Sequence, residues 1–326
     1  MRQVQILTGR EVPLGGVRAI TVRRTLPSRE RTLIGAWCFL DHYGPTLVGA
    51  GNDGGMDVPP HPHTGLQTIS WLFSGEVEHR DSTGTSAMVR PGVLNLMTAG
   101  AGITHSEVST PGVLHGAQLW VALPESSRHV NPGFEQFAPT PVALPAAAGS
   151  ALVFLGELPA VASSPVVTAT PLLGAELTLR PGAAIALAVD PTHEHGVLMD
   201  NGQVWLDGTE LDPGDLGCRD PGRGSLTLRA GAAGARLLLL GGPPFDEEIL
   251  MWWNFVARSQ SEMEQFRREW QEKGARFGEV EGYLGEIDRV PAPPLPVVTL
   301  RPRGRRVRRE GAPAAQRGPR TANQAP

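Results

Sequence analysis

The chain has 326 residues, of which 40% are hydrophobic and 19% charged, a balance that excludes an intrinsically disordered protein and a coiled coil. No apolar run reaches the roughly 18 residues that a membrane-spanning helix needs, and the start, MRQVQILTGREVPL, lacks the apolar core of a secretory signal. The net charge of −4 is uneven, because residues 301–326 hold eight arginines and one acid and so carry +7, which leaves −11 on the other 300 residues. We therefore predict a cytoplasmic protein that does not associate with membranes. Its acidic body should repel nucleic acid, so any binding of nucleic acid would occur through the basic tail.

Glycine and proline punctuate the whole chain. There are 40 glycines and 30 prolines, and they mostly separate short apolar runs. This pattern favours short strands joined by tight turns, so we predict an all-β protein. Its two cysteines cannot build a disulfide framework, which agrees with a reducing compartment.

An inexact repeat relates the two halves of the chain. Gly75-Glu76-Val77 is followed by Pro91-Gly92, and Gly202-Gln203-Val204 is followed by Pro213-Gly214. An apolar strand comes after each Pro-Gly pair (QLWVAL, then RLLLL). Two tandem β units of about 100 residues, each a small jelly-roll barrel whose strands reverse often, account for this spacing.

Changes in composition predict the domain boundaries. Residues 138–150 (APTPVALPAAAGS) break the strand pattern and are predicted to link a first domain, 1–137, to a second, 151–245. Residues 246–300 form a return segment, and the arginine-rich residues 301–326 are predicted to be disordered because they have almost nothing apolar to bury.

One helix is predicted within the return segment, over about residues 259–274. It begins with a capping box, Ser259 and Glu262, and ends at Lys273-Gly274. Its apolar stripe, which should dock on the β domains, comprises Met263, Phe266 and Trp270.

The motifs HPH at 61–63 and HSE at 105–107 predict a metal site in the first domain. In an extended strand residues i and i+2 point to the same face, so His61 with His63, and His105 with Glu107, can converge from two strands that face each other inside a barrel. Three imidazoles and one carboxylate suit Fe(II), Mn(II), Ni(II), Cu(II) or Zn(II). They leave coordination positions open, as a reactive site requires.

The alternation after His63 predicts which side chains line the cavity. Odd positions from Gln67 to Phe73 are expected to point inward, and even positions such as Thr68 and Ser70 outward. The strand LHGAQLW can reach the same cavity. The predicted pocket residues are Gln67, Trp71, Phe73, Met97, His115 and Gln118.

The second domain contains another HxH motif, His193-Glu194-His195, but no HxE follows its Pro-Gly pair. Half a site binds a metal poorly, so we predict that these histidines have a packing or surface role.

Several segments together resemble the pirin family of the cupin superfamily, over about residues 10–297. The resemblance implies a bicupin, in which the N-terminal cupin domain holds one metal through His61, His63, His105 and Glu107 and the C-terminal domain holds none. The similar segments are GAWCFLDHYGP, MDVPPHPHTGLQTISWLFSGEVEHRDSTG, RPGVLNLMTAGAGITHSE, LHGAQLWVALP and VPAPPLP.

The chain departs from this resemblance at Gln67, where many pirins have glutamate. An amide cannot accept a proton at neutral pH, so no base is expected at this position. The departure bears on catalysis more than on metal binding, because the carboxylate ligand implied by the family is that of the HxE motif.

Pirins include quercetin dioxygenases, so the resemblance implies an oxidoreductase that uses one divalent metal, with Fe(II) as first choice, O₂ and a small aromatic substrate. Glu107 is then the expected catalytic residue, taking the substrate's hydroxyl proton. The alternative is a non-catalytic iron-binding co-regulator that acts on transcription or on metabolic enzymes through a protein partner. A metal-assisted isomerase or lyase would need a polar cavity, which the predicted apolar set disfavours.

Overall fold

The structure, a computed structural model, describes residues 4–14, 20–52 and 54–304. The rest of the predicted disordered tail, 305–326, lies outside the described residues. The regular secondary structure is almost entirely antiparallel strand, as predicted. No helix among the described residues is long and apolar enough to cross a membrane.

The elements of the first half, up to the predicted linker, are β1 (Gln5–Thr8), β2 (Arg10–Leu14), β3 (Ile20–Leu26), β4 (Trp37–Val48), a short 3-10 helix (Ala50–Asn52), β5 (Asp57–His63), β6 (Leu66–Ser74), β7 (Val77–Asp81), β8 (Ser86–Val89), β9 (Leu94–Thr98), β10 (Ile103–Ser109), β11 (Gly112–Ala122) and β12 (Gly133–Phe137).

The elements that follow are β13 (Val142–Ala143), a 3-10 turn (Pro145–Ala147), β14 (Gly149–Leu155), β15 (Glu157–Leu158), β16 (Ala162–Ser163), β17 (Leu173–Leu179), β18 (Ala184–Ala188), β19 (Glu194–Leu206), β20 (Thr209–Leu211), β21 (Asp215–Arg219), β22 (Ser225–Gly242), β23 (Leu250–Trp252), β24 (Phe255–Ala257) and the helix α1 (Gln260–Gln271).

Two sheets form the first domain. One has seven strands in the order β12-β9-β6-β11-β4-β3-β2, and the other has four in the order β5-β10-β7-β8. Buried apolar side chains of both sheets, among them Tyr43, Leu72, Val58 and Val77, form one cluster between them. The space between these sheets is where the HPH and HSE motifs lie.

The second domain is a nine-stranded sheet that contains β13, β14 and β17–β22, and also β1. β1 pairs with β21, in the register Gln5 to Cys218. The predicted boundary at 1–137 therefore misses a strand exchange, since the first strand of the chain extends the sheet of the second domain. The predicted linker 138–150 likewise contains β13, which pairs with β14.

The glycines of the predicted repeat make equivalent turns. Gly75 and Gly202 both have φ of +82°, and Gly92 and Gly214 have φ of +70° and +91°. Such left-handed conformations are readily adopted only by glycine. The two domains thus have glycine turns of the same kind at corresponding positions.

The return segment packs on the first domain through β23, β24 and α1. Ser259 caps α1 by accepting a hydrogen bond from the Glu262 backbone N–H at 3.2 Å, as predicted. The helix ends earlier than expected, and Lys273 rather than Gly274 has the left-handed conformation, with φ of +55°. Arg303 forms a backbone bridge with Ile249, so the prediction of disorder is wrong for this residue.

Candidate metal centre

Three buried histidines meet between the sheets of the first domain. His61 and His63 lie on β5 and His105 on β10, and their nearest ligand nitrogens all lie within 4.8 Å of one another. The three residues are 7%, 1% and 1% exposed, respectively. The sequence predicted this convergence, but β5 and β10 are hydrogen-bonded neighbours in one sheet, with His61 opposite His105, rather than facing strands.

Prolines shape the strand that carries two of these histidines. β5 is an edge strand, where a proline that cannot donate to the ladder is tolerated. The register with β10 shifts between His105 and Glu107, opposite Pro59-Pro60, and such bulges re-aim side chains. Gly65 then turns the chain with φ of +68°, where a Cβ would lie 2.5 Å from the Val256 carbonyl oxygen.

Backbone carbonyls set the tautomers of two rings. His61 Nδ1 lies 2.8 Å from the Pro59 oxygen, and His63 Nδ1 lies 3.0 Å from the Asn254 oxygen. A carbonyl only accepts, so each Nδ1 carries the proton and each Nε2 keeps its lone pair. Metal-bound histidines are oriented in the same way.

A chain of hydrogen bonds orients the third ring. His79 Nε2 donates to Asp81 Oδ2 at 3.0 Å, so His79 Nδ1 can accept from His105 Nδ1 at 3.4 Å. His105 Nε2 then keeps its lone pair, and it is buried without a hydrogen-bond partner among the described residues. His79 and Asp81, an HxD motif on β7, are functional candidates that the sequence analysis missed, although their i, i+2 spacing matches that of HSE.

Burial keeps all three rings neutral. It lowers the pKa of His61 to about 4. Burial, reinforced by the neighbouring imidazoles, lowers the pKa values of His63 and His105 well below their ordinary range. Three neutral imidazoles with free lone pairs in a buried space fit a divalent metal ion.

Glu107 lies beside this cluster but not within the group of mutually close ligand atoms. The Ser70 hydroxyl lies 3.1 Å from Glu107 Oε1 and 2.8 Å from Gln118 Oε1, and it can donate its single proton to either oxygen. Burial raises the pKa of Glu107, while His79 and the Ser70 hydrogen bond act against this. The structure thus brings Gln118, one of the predicted pocket residues, next to Glu107.

The predicted inward and outward faces of β6 are reversed. Ser70, expected to point outward, faces Glu107. Trp71, expected inside, stacks on Phe154 of the second domain at 4.3 Å and donates to Glu176 Oε2 at 2.8 Å. Gln67 has the parity of Trp71 and donates to Thr98, so it also lies on the face away from Ser70.

The face of β6 that points to the histidines includes Thr68, whose cross-strand partners are Met97 and Trp120. Trp120 meets the His63 ring edge to face, with centroids 5.1 Å apart. Met97 therefore has the predicted orientation. Trp120 is an aromatic wall that the sequence analysis did not single out.

Phe73 and His115 join a second buried cluster, at the contact between the domains. His42 Nε2 and His115 Nε2 lie 2.9 and 2.7 Å from the same oxygen of Asp200, whose other oxygen accepts from Arg236 Nε at 2.6 Å. The Arg236 guanidinium also lies over the Phe73 ring, 4.3 Å from its centroid. Neither Phe73 nor His115 lines the three-histidine site as predicted.

This second group, His42, His115 and Asp200, has close enough ligand atoms to hold an ion, but its hydrogen bonds favour another role. Arg236 Nη2 faces His115 Nδ1 at 3.5 Å and can only donate, so Nε2 of His115 carries a proton and donates to Asp200. Burial alone would raise the Asp200 pKa, but the hydrogen bonds from His115, His42 and Arg236 lower it. We interpret the cluster as a polar junction between domains.

The HxH of the second domain lies apart from both clusters. His195 is 2% exposed, and burial lowers its pKa to about 4. Within the described residues, its ring nitrogens do not belong to either group of three close ligand atoms.

Two antiparallel β domains in tandem, one of which encloses a buried histidine cluster, define a bicupin. Residues 19–121 match the Pirin family, and residues 174–278 match the Pirin C-terminal cupin domain. The chain belongs to the pirin family.

Named relatives support this assignment over nearly the whole chain. A protein of Pseudomonas aeruginosa named "Putative quercetin 2,3-dioxygenase" is 43% identical over 90% of this chain and 91% of its own length. A pirin-like protein of Caulobacter vibrioides is 36% identical over 76% of this chain and 87% of its own length. The crystal structure of a quercetin 2,3-dioxygenase from Acinetobacter baumannii has a TM-score of 0.85 and 39% identity, covering 92% of this chain and 97% of that one.

Proposed function

We propose that this protein is a metal-dependent dioxygenase of the quercetin 2,3-dioxygenase type, with one divalent ion held by His61, His63 and His105. The observation that carries the proposal is the set of three buried, neutral imidazoles whose Nε2 atoms converge. Similarity to proteins that bear the quercetin dioxygenase name supports the substrate class.

Glu107 is proposed as the catalytic residue and as a further ligand. Its carboxylate is 6% exposed and is fixed by Ser70, so it can take a proton from a substrate hydroxyl at Oε1 or Oε2. Gln118 in turn contacts the Ser70 hydroxyl and so helps to position it. The ion, when bound, supplies Lewis acidity and a coordination site for substrate and O₂.

The walls near the histidines favour a flat aromatic substrate. Trp120 lies edge to face with His63, and Met97 shares the face of Trp120 on the opposing sheet. Tyr43 is buried close enough to Glu107 for the carboxylate to help raise its pKa, after burial itself. These apolar surfaces would bind a flavonol ring and exclude water from it.

The test is O₂ uptake by protein loaded anaerobically with Fe(II) or Mn(II). We expect stoichiometric consumption of O₂ with quercetin, and a decrease of about 10² in rate for Glu107→Gln at equal metal occupancy. Glu135→Gln, an exposed carboxylate of the same domain, is the matched control and should keep the wild-type rate. Protein that holds one ion yet consumes no O₂ with any flavonol would refute the dioxygenase, and the alternative of a co-regulator acting through a protein partner would replace it.

A further inference from the structure

A cleft beside β2 and β3 is lined by five arginines. Its volume is about 700 Å³, within the range of small-molecule sites. Among the described residues, no aspartate or glutamate lines it. The lining residues that matter here are Arg10, Arg24, Arg29, Arg301 and Arg303, with Met251 and Leu300 as apolar wall.

Carboxylates balance these charges only in part. Arg24 makes a bidentate pair with Asp41, with both N···O distances at 2.7 Å. Within the described residues, the other four arginines of the cleft form no ion pair. The remaining charge is therefore strongly positive in a chain whose first 300 residues are acidic.

Two of the arginines are cross-strand neighbours in the sheet. Arg10 and Arg24 are directly opposite in the β2–β3 ladder, and Asp41 offsets the charge of Arg24. Arg303 is half-buried, and burial, with a contribution from Arg10, lowers its pKa. The Arg303 backbone is fixed by its two hydrogen bonds to Ile249, so this side chain does not leave the cleft freely.

A buried hydroxyl also lacks a partner at this cleft. Thr25 lines it, is 2% exposed, and its Oγ1 makes no hydrogen bond within the described part of the chain. Guanidinium groups recognise phosphate oxygens through parallel hydrogen bonds, and hydroxyls add to such sites.

We propose that this cleft binds a small anion that carries at least two adjacent phosphate groups. Arg10 and Arg303 would contact the phosphates, and the anion would neutralise the arginines of the cleft that have no ion pair. The apolar wall formed by Met251 and Leu300 gives an organic phosphate a surface for its remaining part. The proposal does not depend on the metal-centred activity.

The experiment measures binding of pyrophosphate to the full chain by calorimetry at physiological ionic strength. We expect one site per chain, with affinity about tenfold or more weaker for each of Arg10→Gln and Arg303→Gln, the scale of one charge-assisted hydrogen bond. Arg223→Gln, an exposed arginine of the second domain, removes the same charge elsewhere and should bind as wild type. Tighter binding of ADP than of pyrophosphate identifies an organic phosphate as the ligand, and weaker binding identifies the free anion; both support the cleft.

Two further variants separate this cleft from the metal centre and from the basic tail as the site of binding. His61→Ala should bind pyrophosphate normally, because chelation of a metal at the three histidines is not involved. Replacement of the arginines at 305, 306, 308, 309, 317 and 320 by glutamine should also leave one site per chain. The proposal is overturned if either variant abolishes binding, or if Arg223→Gln weakens binding as much as Arg10→Gln does.

Thermal unfolding shows both whether Arg10→Gln is folded and whether it responds to the ligand. Arg10 is exposed and has no ion pair among the described residues, so the Tm of Arg10→Gln without ligand should be close to that of the wild type. Pyrophosphate at the same concentration should raise the Tm of the wild type by more than that of Arg10→Gln. An equal rise in both proteins would contradict the assignment of Arg10 to the site.

Discussion

At the level of single residues, the partner of one ring nitrogen decides what the other nitrogen of a histidine can do. Carbonyls opposite Nδ1 of His61 and His63 leave Nε2 free to bind a metal. A guanidinium opposite Nδ1 of His115 has the reverse effect and places the proton on Nε2. Two clusters of similar composition therefore have different chemistry.

Metal stoichiometry tests the first of these assignments. His61→Ala should abolish tight binding of one divalent ion, because two imidazoles remain, whereas His195→Ala should keep about one ion per chain. Elemental analysis of the purified variants measures this. Loss of the ion in His195→Ala, with retention in His61→Ala, would assign the metal to the second domain instead.

His195 should make stability depend on pH. Its pKa in the fold is about 4, below the value of about 6.5 in an unfolded chain. Between pH 6.5 and 4 the unfolded state takes up a proton that the folded state does not, so the free energy of unfolding falls as the pH falls, by up to about 3 kcal/mol. Denaturant titrations at several pH values measure this fall.

The matched variants for this prediction are His195→Gln, which should reduce the pH dependence, and His129→Gln, an exposed histidine whose replacement should not. Equal pH dependence in wild type and His195→Gln would show that the ring is not buried as the structure describes.

At the level of elements, β6 shows why strand periodicity misassigned the pocket. Its Ser70 face points to the histidines, and its Trp71 face packs on Phe154 of the second domain. Both faces are buried, so hydrophobicity does not distinguish them. Only the pairing with β9 and β11 decides which face of β6 points to the histidines and which packs on the second domain.

Two tryptophans on opposite faces test this orientation. Trp71→Phe should lower the free energy of unfolding by about 1–2 kcal/mol, because the half-buried Glu176 carboxylate loses its donor. It should leave the absorption of bound Co(II) unchanged. Trp120→Phe, next to His63, should change that spectrum. A spectral change in Trp71→Phe would indicate that the sequence-based face assignment was correct after all.

At the level of the whole molecule, the two domains are joined both by an exchanged strand and by contacts between their side chains. β1 completes the sheet of the second domain before the chain enters the first. The His42, His115 and Asp200 junction then joins β4 and β11 to β19, with Arg236 of β22 closing it. The domains should consequently unfold together.

The Asp200 junction predicts a large and specific loss of stability. Asp200→Ala leaves Nε2 of the buried His42 and His115 without its acceptor and the part-exposed Arg236 guanidinium without its carboxylate, which costs about 2–4 kcal/mol. Asp190→Ala, which removes an exposed carboxylate of the same domain, should cost far less. Chemical denaturation compares the two, and similar losses in both variants would mean that the junction does not hold the domains together.

The sequence alone determined the all-β class, the pirin resemblance, the helix cap at Ser259 and the convergence of His61, His63 and His105. Each rests on short-range chemistry, such as the i, i+2 period of a strand or a capping box, that few residues encode. The tertiary structure alone decided that β1 crosses to the other domain, that β6 turns Ser70 rather than Trp71 to the site, and that His79 and Asp81 support His105. These depend on pairing between residues distant in the chain, and no local pattern specifies which of two buried faces meets which neighbour.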